Sequence, residues 1–166
     1  INASTQVINL SAARKAGFPL EKPLDWDNLI IEAKRINKEI PGTYLLNYDG
    51  QSHWGYLATH LRQLAGKPFI DDNGKLTFTK AQAVRSLTWL VDAVDAGVFQ
   101  IIGDAALFSS KPEQNPVWTS QKALMIGEYT SNMARHRSTL PADTEYAVAT
   151  PPNFAGVKNG AAIVRP

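Results

Sequence analysis

The sequence predicts an α/β fold, a helix-rich lobe with a small mixed sheet. Long segments with apolar residues at helical spacing alternate with short apolar runs typical of strands, and turn residues separate the two kinds. The chain has 166 residues, which is enough for a single domain over residues 1–166 with its own core. No apolar run approaches the roughly 20 residues that a membrane span needs.

The first third of the chain predicts two strands and two helices. The apolar run 7–8 is a strand candidate, and Asn9 caps a short helix that a glycine ends. Asp25 caps a helix of about four turns, whose apolar residues keep helical spacing as far as Pro41. The residues 44–46 then predict a second short strand.

The middle third predicts two long helices with a β-hairpin between them. One helix covers 52–65, and the hairpin covers 69–78 with Asn73-Gly74 as its two-residue turn. A capping box from Thr79 to Gln82 then begins the clearest helix of the chain. Its apolar residues are expected to form one stripe, and they are Val84, Leu87, Leu90, Val91 and Val94.

The last third predicts mainly loop over 103–115 and a short helix from Pro116 to Trp118. A buried strand is expected over 123–126, ending at Gly127, and a helix is expected over 129–137. Two closing strands are expected, and they cover 146–149 and 161–164.

Composition excludes several classes of function. Net charge is +2, from 17 basic and 15 acidic side chains that are scattered along the chain, so nucleic acid and anionic membranes are not expected partners. The chain contains no cysteine, which excludes disulfides, thiolate zinc sites and cysteine nucleophiles.

Histidine and acidic spacing argues against a metal site. His53 and His60 lie two turns apart on one predicted helix, whereas one metal ion needs ligands closer together, such as about four residues apart. The run 71–74 resembles the start of a calcium loop, but Lys80 stands where that loop needs a glutamate, so a hairpin turn is favoured.

Motifs of catalysis are weak in this sequence. It has no nucleophile elbow, no phosphate-binding glycine loop with lysine and no dinucleotide fingerprint. Asp49 and Glu128 stand in predicted loops beside aromatic residues, so a pair of carboxylates for glycoside hydrolysis stays an alternative.

Aromatic residues give the strongest indication of a binding site. Trp26, Trp89 and Trp118 lie in or beside apolar patterns and are expected to pack in the core. Trp54 opens a helix after a polar loop, and Tyr129 follows a glycine at a strand-to-helix turn. Loops present side chains to clefts at such positions, and flat rings suit the apolar face of a sugar, so ligand contact and packing both stay open for these two.

Five stretches together resemble one family. They are Val7-Ile8-Asn9 with Ala13 to Gly17, Pro23 to Leu29, Asp72 to Lys75 before the helix that ends at Val98, Trp118 to Tyr129, and Ala149 to Pro152. Their order and approximate spacing resemble the extracellular solute-binding proteins of ABC importers, in the carbohydrate group that includes maltodextrin-binding proteins. Asp25, Asn28 and Gln121 depart from the family pattern, and Val7 and Ile8 stand where tyrosines are usual.

The resemblance implies a C-terminal lobe of a type II periplasmic-binding-protein-like fold, with the N-terminal lobe outside residues 1–166. It implies a bacterial extracytoplasmic protein or lipoprotein, monomeric, which binds a carbohydrate without chemistry or cofactor and docks on an ABC permease. Trp54 and Tyr129 would stack on the sugar. Neighbouring polar side chains would bond its hydroxyls, and they are Asp49, Gln51, His53 and Glu128. A carbohydrate hydrolase domain, or a sensor domain that reuses this fold, is the alternative.

Overall fold

The computed structural model describes residues 2–47, 52–108, 110–154 and 164–165, with backbone only at 2–4, 52, 102, 128 and 164–165. The elements in chain order are β1 (Asn2–Asn9), α1 (Leu10–Lys15), α2 (Trp26–Glu39), β2 (Tyr44–Asn47), α3 (Ser52–Ala65), α4 (Lys80–Asp95), α5 (Ile102–Ala106), a 3-10 turn (Pro112–Gln114), α6 (Pro116–Thr119), β3 (Ala123–Tyr129), a 3-10 turn (Thr130–Asn132), α7 (Met133–Ser138), β4 (Tyr146–Ala149) and β5 (Val164–Arg165). In these ranges, no helix is both long and apolar enough to cross a membrane.

The strands form one mixed sheet in the order β2-β3-β1-β4, and β5 pairs with the start of β1. β1 is antiparallel to both of its long neighbours, with Val7 opposite Ile126 on one side and opposite Val148 on the other. β2 and β3 are parallel, so these two strands end at the same edge of the sheet. The predicted fold class, helix-rich α/β with a small mixed sheet, is confirmed.

Apolar residues are buried on both faces of the sheet, as the alternation of β1 shows. Ile8 belongs to the larger core cluster, whereas its neighbour Val7 belongs to a smaller cluster with Trp118 and Ile126. Successive strand residues point to opposite faces, so β1 is covered on both sides.

Trp26 lies at the centre of the larger cluster. Its ring is fully buried and meets four other rings edge-on or tilted, with centroids 4.7–6.4 Å away: Trp89, His60, Tyr56 and Phe154. Its indole N–H donates to Gln63 Oε1 at 2.7 Å, and its carbonyl accepts the indole N–H of Trp89 at 2.9 Å. Packing in the core, predicted for Trp26, Trp89 and Trp118, is confirmed because all three side chains are buried.

The predicted apolar stripe of α4 is wrong in part. The helix buries Ser86, Trp89 and Ala93 against the body, while three members of the stripe, Val84, Leu87 and Val91, are exposed. The helix has two apolar faces. The face with Trp89 packs against the core because the Trp89 ring contacts the ring of Trp26. Ser86 is tolerated there because its hydroxyl lies 2.7 Å from His60 Nδ1.

The hairpin over 69–78 forms, but with a different turn. Ile70 and Leu76 make a bridge. Of the two predicted turn residues only Gly74 adopts positive φ, so the two-residue turn predicted at Asn73-Gly74 is absent. The Asp71 carboxylate instead accepts the N–H groups of Asn73 and Lys75, which closes a longer loop.

Two further boundaries differ from the prediction. The segment 103–115, predicted to be loop, contains most of α5 and a 3-10 turn. The strand predicted to end at Gly127 runs on to Tyr129, and the helix predicted over 129–137 is a 3-10 turn followed by α7. Of the closing strand predicted over 161–164, residues 161–163 lie outside the described residues.

Candidate functional site

The candidate site lies where the parallel strands β2 and β3 end. Asn47, the last residue of β2, is in register with Ile126, so the segments that follow both strands leave the same sheet edge. In open α/β sheets, ligands bind in the crevice at the carboxyl ends of such strands. The start of α3, with His53 and Trp54, follows β2, and Tyr129 closes β3.

Tyr56 holds α3 against β3 at this edge. A Cβ atom on Gly127 would lie 2.0 Å from the Tyr56 hydroxyl oxygen, so this ring occupies the space that a side chain there would need. The hydroxyl donates to Gln6 Oε1 at 2.9 Å, in the neighbouring strand β1. Sequence reasoning missed Tyr56 and Gln6. A glycine inside a strand is the signal that could have indicated the close approach.

Trp54 presents its ring on a different side of α3. The side chain is 59% exposed, and its ring meets that of Phe69 edge-on at 5.3 Å. At about 100° per residue, Trp54 and Tyr56 point roughly 160° apart around the helix. Trp54 therefore has a free ring face, steadied by the hairpin, while Tyr56 faces the sheet.

Tyr129 is half-buried as the last residue of β3, in register with Ser4 of β1. The structure thus brings Tyr129 and the start of α3 to the same end of the sheet through the parallel pairing of β2 and β3. Stacking of a sugar on Trp54 and Tyr129 stays a prediction.

The predicted polar partners are described to different extents. Asp49 and Gln51 lie outside the described residues, and of Glu128 only the backbone is described, in register with Thr5. His53 is buried, with its ring edge-on to Phe99 at a centroid distance of 5.3 Å. His53 therefore offers a ligand little surface, and the predicted bonds from all four side chains to hydroxyls stay predictions.

Two buried polar residues near this edge, Asn47 and Glu113, were missed by sequence reasoning. Asn47 is fully buried, and its amide donates to the carbonyl of Pro112 at 2.8 Å, while its Oδ1 has no hydrogen-bond partner among the described residues. The buried carboxylate of Glu113 pairs with Arg135 Nε at 3.2 Å. These contacts tie the 3-10 turn 112–114 to β2 and to α7, which fixes the segments around the candidate site.

Metal binding gains no support from the side chains that can be placed. No group of three or more histidine, aspartate or glutamate side chains in the described ranges is arranged to hold an ion. His60 instead stacks on Trp89 and contacts Ser86, and thus belongs to the core.

Burial lowers the pKa of both His53 and His60 from 6.5 to about 4, and for His60 the positive charge of Arg85 adds to the effect. Between pH 6.5 and about pH 4 the folded protein thus keeps both histidine rings neutral, whereas the same rings take up protons in the unfolded chain. The free energy of unfolding is expected to fall by about 2 kcal/mol per histidine between about pH 7 and about pH 4.5. Urea denaturation followed by circular dichroism across this interval measures the loss.

The double variant H60F/S86A is the matched comparison for this pH dependence. Phenylalanine keeps a ring beside Trp89, and alanine removes the hydroxyl that would otherwise be left unpaired. The variant is expected to lose about half of the acid destabilisation. An identical slope in the variant and the parent would show that His60 has no part in it.

A family model described as bacterial extracellular solute-binding protein matches residues 4–166 of this chain. No curated protein sequence matches the chain at a significant level.

Solved structures share the fold at low sequence identity. The periplasmic oligogalacturonide binding protein of Yersinia enterocolitica is 21% identical and aligns over 97% of this chain and 40% of its own, with a TM-score of 0.84. The GacH receptor of Streptomyces glaucescens, solved unliganded and with acarbose, is 19% identical over 93% of this chain and 38% of its own, with a TM-score of 0.66. A de novo designed cysteine esterase is 20% identical over 98% of this chain and 40% of its own, with a TM-score of 0.85.

The chain spans about 40% of the length of these solved proteins. Its fold is that of one lobe of a periplasmic binding protein, as the resemblance in the sequence predicts. The designed esterase shows that chemistry has been built into a chain with this fold, and the two natural proteins are named for binding.

Proposed function

Because the chain belongs to the bacterial extracellular solute-binding protein family, we propose that it is one lobe of a carbohydrate receptor that serves an ABC importer outside the cytoplasm. The observation that supports this proposal is the shared edge of β2 and β3: the half-buried Tyr129 closes β3, and α3, whose first turn carries the exposed Trp54, follows β2.

The proposed mechanism is binding without a chemical step. The apolar face of a pyranose stacks on aromatic rings, and its hydroxyls bond polar side chains such as Asp49, Gln51 and Glu128. A second lobe closes over the ligand and removes most of its surface from water, and the closed form docks on the permease. His53 contributes by packing against Phe99, which supports the first turn of α3.

An oligosaccharide is the ligand class that we favour. One protein with this fold is named for binding oligogalacturonide and another was solved with acarbose, and both ligands consist of several linked rings. In this chain the ring of Trp54 stands well away from the core and is supported by Phe69, as a platform for an additional sugar unit would be.

The chain alone is expected to bind such ligands weakly, since it supplies the contacts of one lobe. A dissociation constant near about 1 mM corresponds to about −4 kcal/mol, in the range expected for half of a closed site. Titration of the ¹⁵N-labelled chain with maltooligosaccharides and with oligogalacturonides is expected to shift the Trp54 indole signal and the amide signals around Tyr129. The variants W54A and Y129A are each expected to weaken the binding by about tenfold, or about 1.4 kcal/mol.

Tyr146 provides the matched control for this titration. It is an exposed tyrosine on β4, opposite Asn9, and thus lies at the far end of the sheet from Tyr129. Y146A is expected to bind as the parent does. Unchanged binding by both W54A and Y129A would remove the proposed site, and micromolar binding by the 166-residue chain would contradict the division of the site between two lobes.

A further inference from the structure

The outward face of α4 carries a row of apolar side chains, here called the α4 stripe. It consists of Val84, Leu87 and Val91, which are 53%, 51% and 60% exposed. Residues three and four apart lie on one side of a helix, so the three side chains form a continuous strip. Scattered apolar residues are ordinary on a surface, whereas a row at helical spacing is typical of a face that packs on another helix.

Two charged residues stand at the ends of the stripe. Lys80 lies one turn before Val84, Asp95 lies one turn after Val91, and both are exposed. The first turn of α4 has no acidic residue and the last turn no basic one. This order of charges opposes the helix dipole, which favours anions at the amino end and cations at the carboxyl end. The stability of α4 itself therefore does not explain these positions.

A second copy of the same helix does explain them. If two α4 helices pack antiparallel about a two-fold axis midway between Leu87 and Thr88, Val84 lies opposite Val91 of the second copy. The same symmetry sets Lys80 opposite Asp95 of the second copy, and it does so at both ends. An apolar centre flanked by two ion pairs results, which is the self-complementary pattern of an isologous interface. A parallel arrangement would instead place lysine beside lysine and aspartate beside aspartate.

We propose that the α4 stripe is a self-association surface through which two copies of this chain pair antiparallel. This goes beyond the carbohydrate-binding proposal and differs from the monomer that the family resemblance implies. Three half-exposed side chains from each copy make a small interface, so the dissociation constant is expected to lie near about 100 μM.

Charge reversal tests the antiparallel register. In sedimentation equilibrium, K80E and D95K are each expected to raise the dimer dissociation constant about fivefold or more, because each sets two like-charge pairs across the interface. The double variant K80E/D95K restores opposite charges and is expected to return within about twofold of the parent. A monomeric parent at about 500 μM, five times the expected constant, would overturn the proposal, as would a double variant no better than the single ones.

Crosslinking tests the position of the two-fold axis. The chain has no cysteine, so L87C adds one thiol, which the symmetry places beside the same thiol of the second copy. Mild oxidation is expected to give a disulfide-linked dimer, and T77C, on the hairpin, is expected to remain largely uncrosslinked. A folded L87C that reacts readily with a thiol reagent yet forms no dimer would show that the α4 stripe is exposed to solvent and unpaired, and would overturn the proposal. Protection of Cys at this position only in a longer polypeptide would overturn it too, because an intramolecular segment would then be the occupant.

Discussion

Replacing Trp26 by alanine is expected to lower the free energy of unfolding by about 3–5 kcal/mol, the largest effect of any single change considered for this protein. The indole is fully buried and touches four rings, so truncation leaves a cavity that the surrounding aromatic side chains cannot fill. It also leaves the carbonyl of the Gln63 side chain without its donor. Domains have total stabilities of about 5–15 kcal/mol, so the loss is a large share of the total.

Urea denaturation followed by circular dichroism measures this loss, and two other variants bracket it. W26F keeps an aromatic ring in the cluster and is expected to cost less than W26A. W54A removes the exposed indole of α3 and is expected to cost less than about 1 kcal/mol. Equal free energies of unfolding for W26A and W54A would contradict the expectation that the ring contacts of Trp26 stabilise the core.

Replacing Gly127 by alanine is expected to cost about 2–3 kcal/mol through a steric clash. The added methyl group would overlap the Tyr56 hydroxyl oxygen, so the Tyr56 side chain, α3 or β3 must move. Because Tyr129 closes the same strand two residues later, the shift is also expected to disturb the candidate site. Thermal and urea unfolding of G127A measure the stability loss.

The double variant G127A/Y56F tests the cause of that loss. Removing the hydroxyl relieves the closest contact, although the ring carbon at 2.9 Å stays near, so a partial rescue is expected. Y56F alone loses the bond to Gln6, at a cost of about 1 kcal/mol. The two changes are therefore expected to be non-additive by about 1 kcal/mol or more, and additive losses would contradict a clash at this position.

Features that depend on neighbouring residues could be predicted from the sequence. The caps at Asn9, Asp25 and Thr79 form as expected, because each side chain bonds an N–H two or three residues further on. The helices that follow these caps start where predicted, and so does the helix that Pro116 opens. The fold class follows from the same local patterns.

Features that depend on distant residues could not be predicted. Periodicity marks the apolar residues of α4, but it does not say which of two apolar faces turns inward. That choice is made by Trp26 and His60, which lie far along the chain from Trp89 and Ser86. The continuation of β3 past Gly127 has a similar cause, since Tyr56 fills the space that the glycine leaves.

The candidate site stays a prediction, and several contacts around it could not be predicted from the sequence. Tyr129 closes β3 and Trp54 lies in the first turn of the helix that follows β2, while their joint contact with a sugar stays a prediction. The burial of His53 depends on Phe99, and the pairing of Glu113 with Arg135 joins two segments that are separate in sequence. Neither contact leaves a local pattern that could be read beforehand.

The position of β1 in the sheet sets the time at which this protein can fold. Of the strands in the described residues, β1 is synthesised first, yet it lies between β3 and β4, which are synthesised after β2. During synthesis the two strands that pair along β1, at residues 123–129 and 146–149, follow it only after more than a hundred residues. The central strand therefore forms its ladders only when long loops close, which is a slow step in forming non-local sheets.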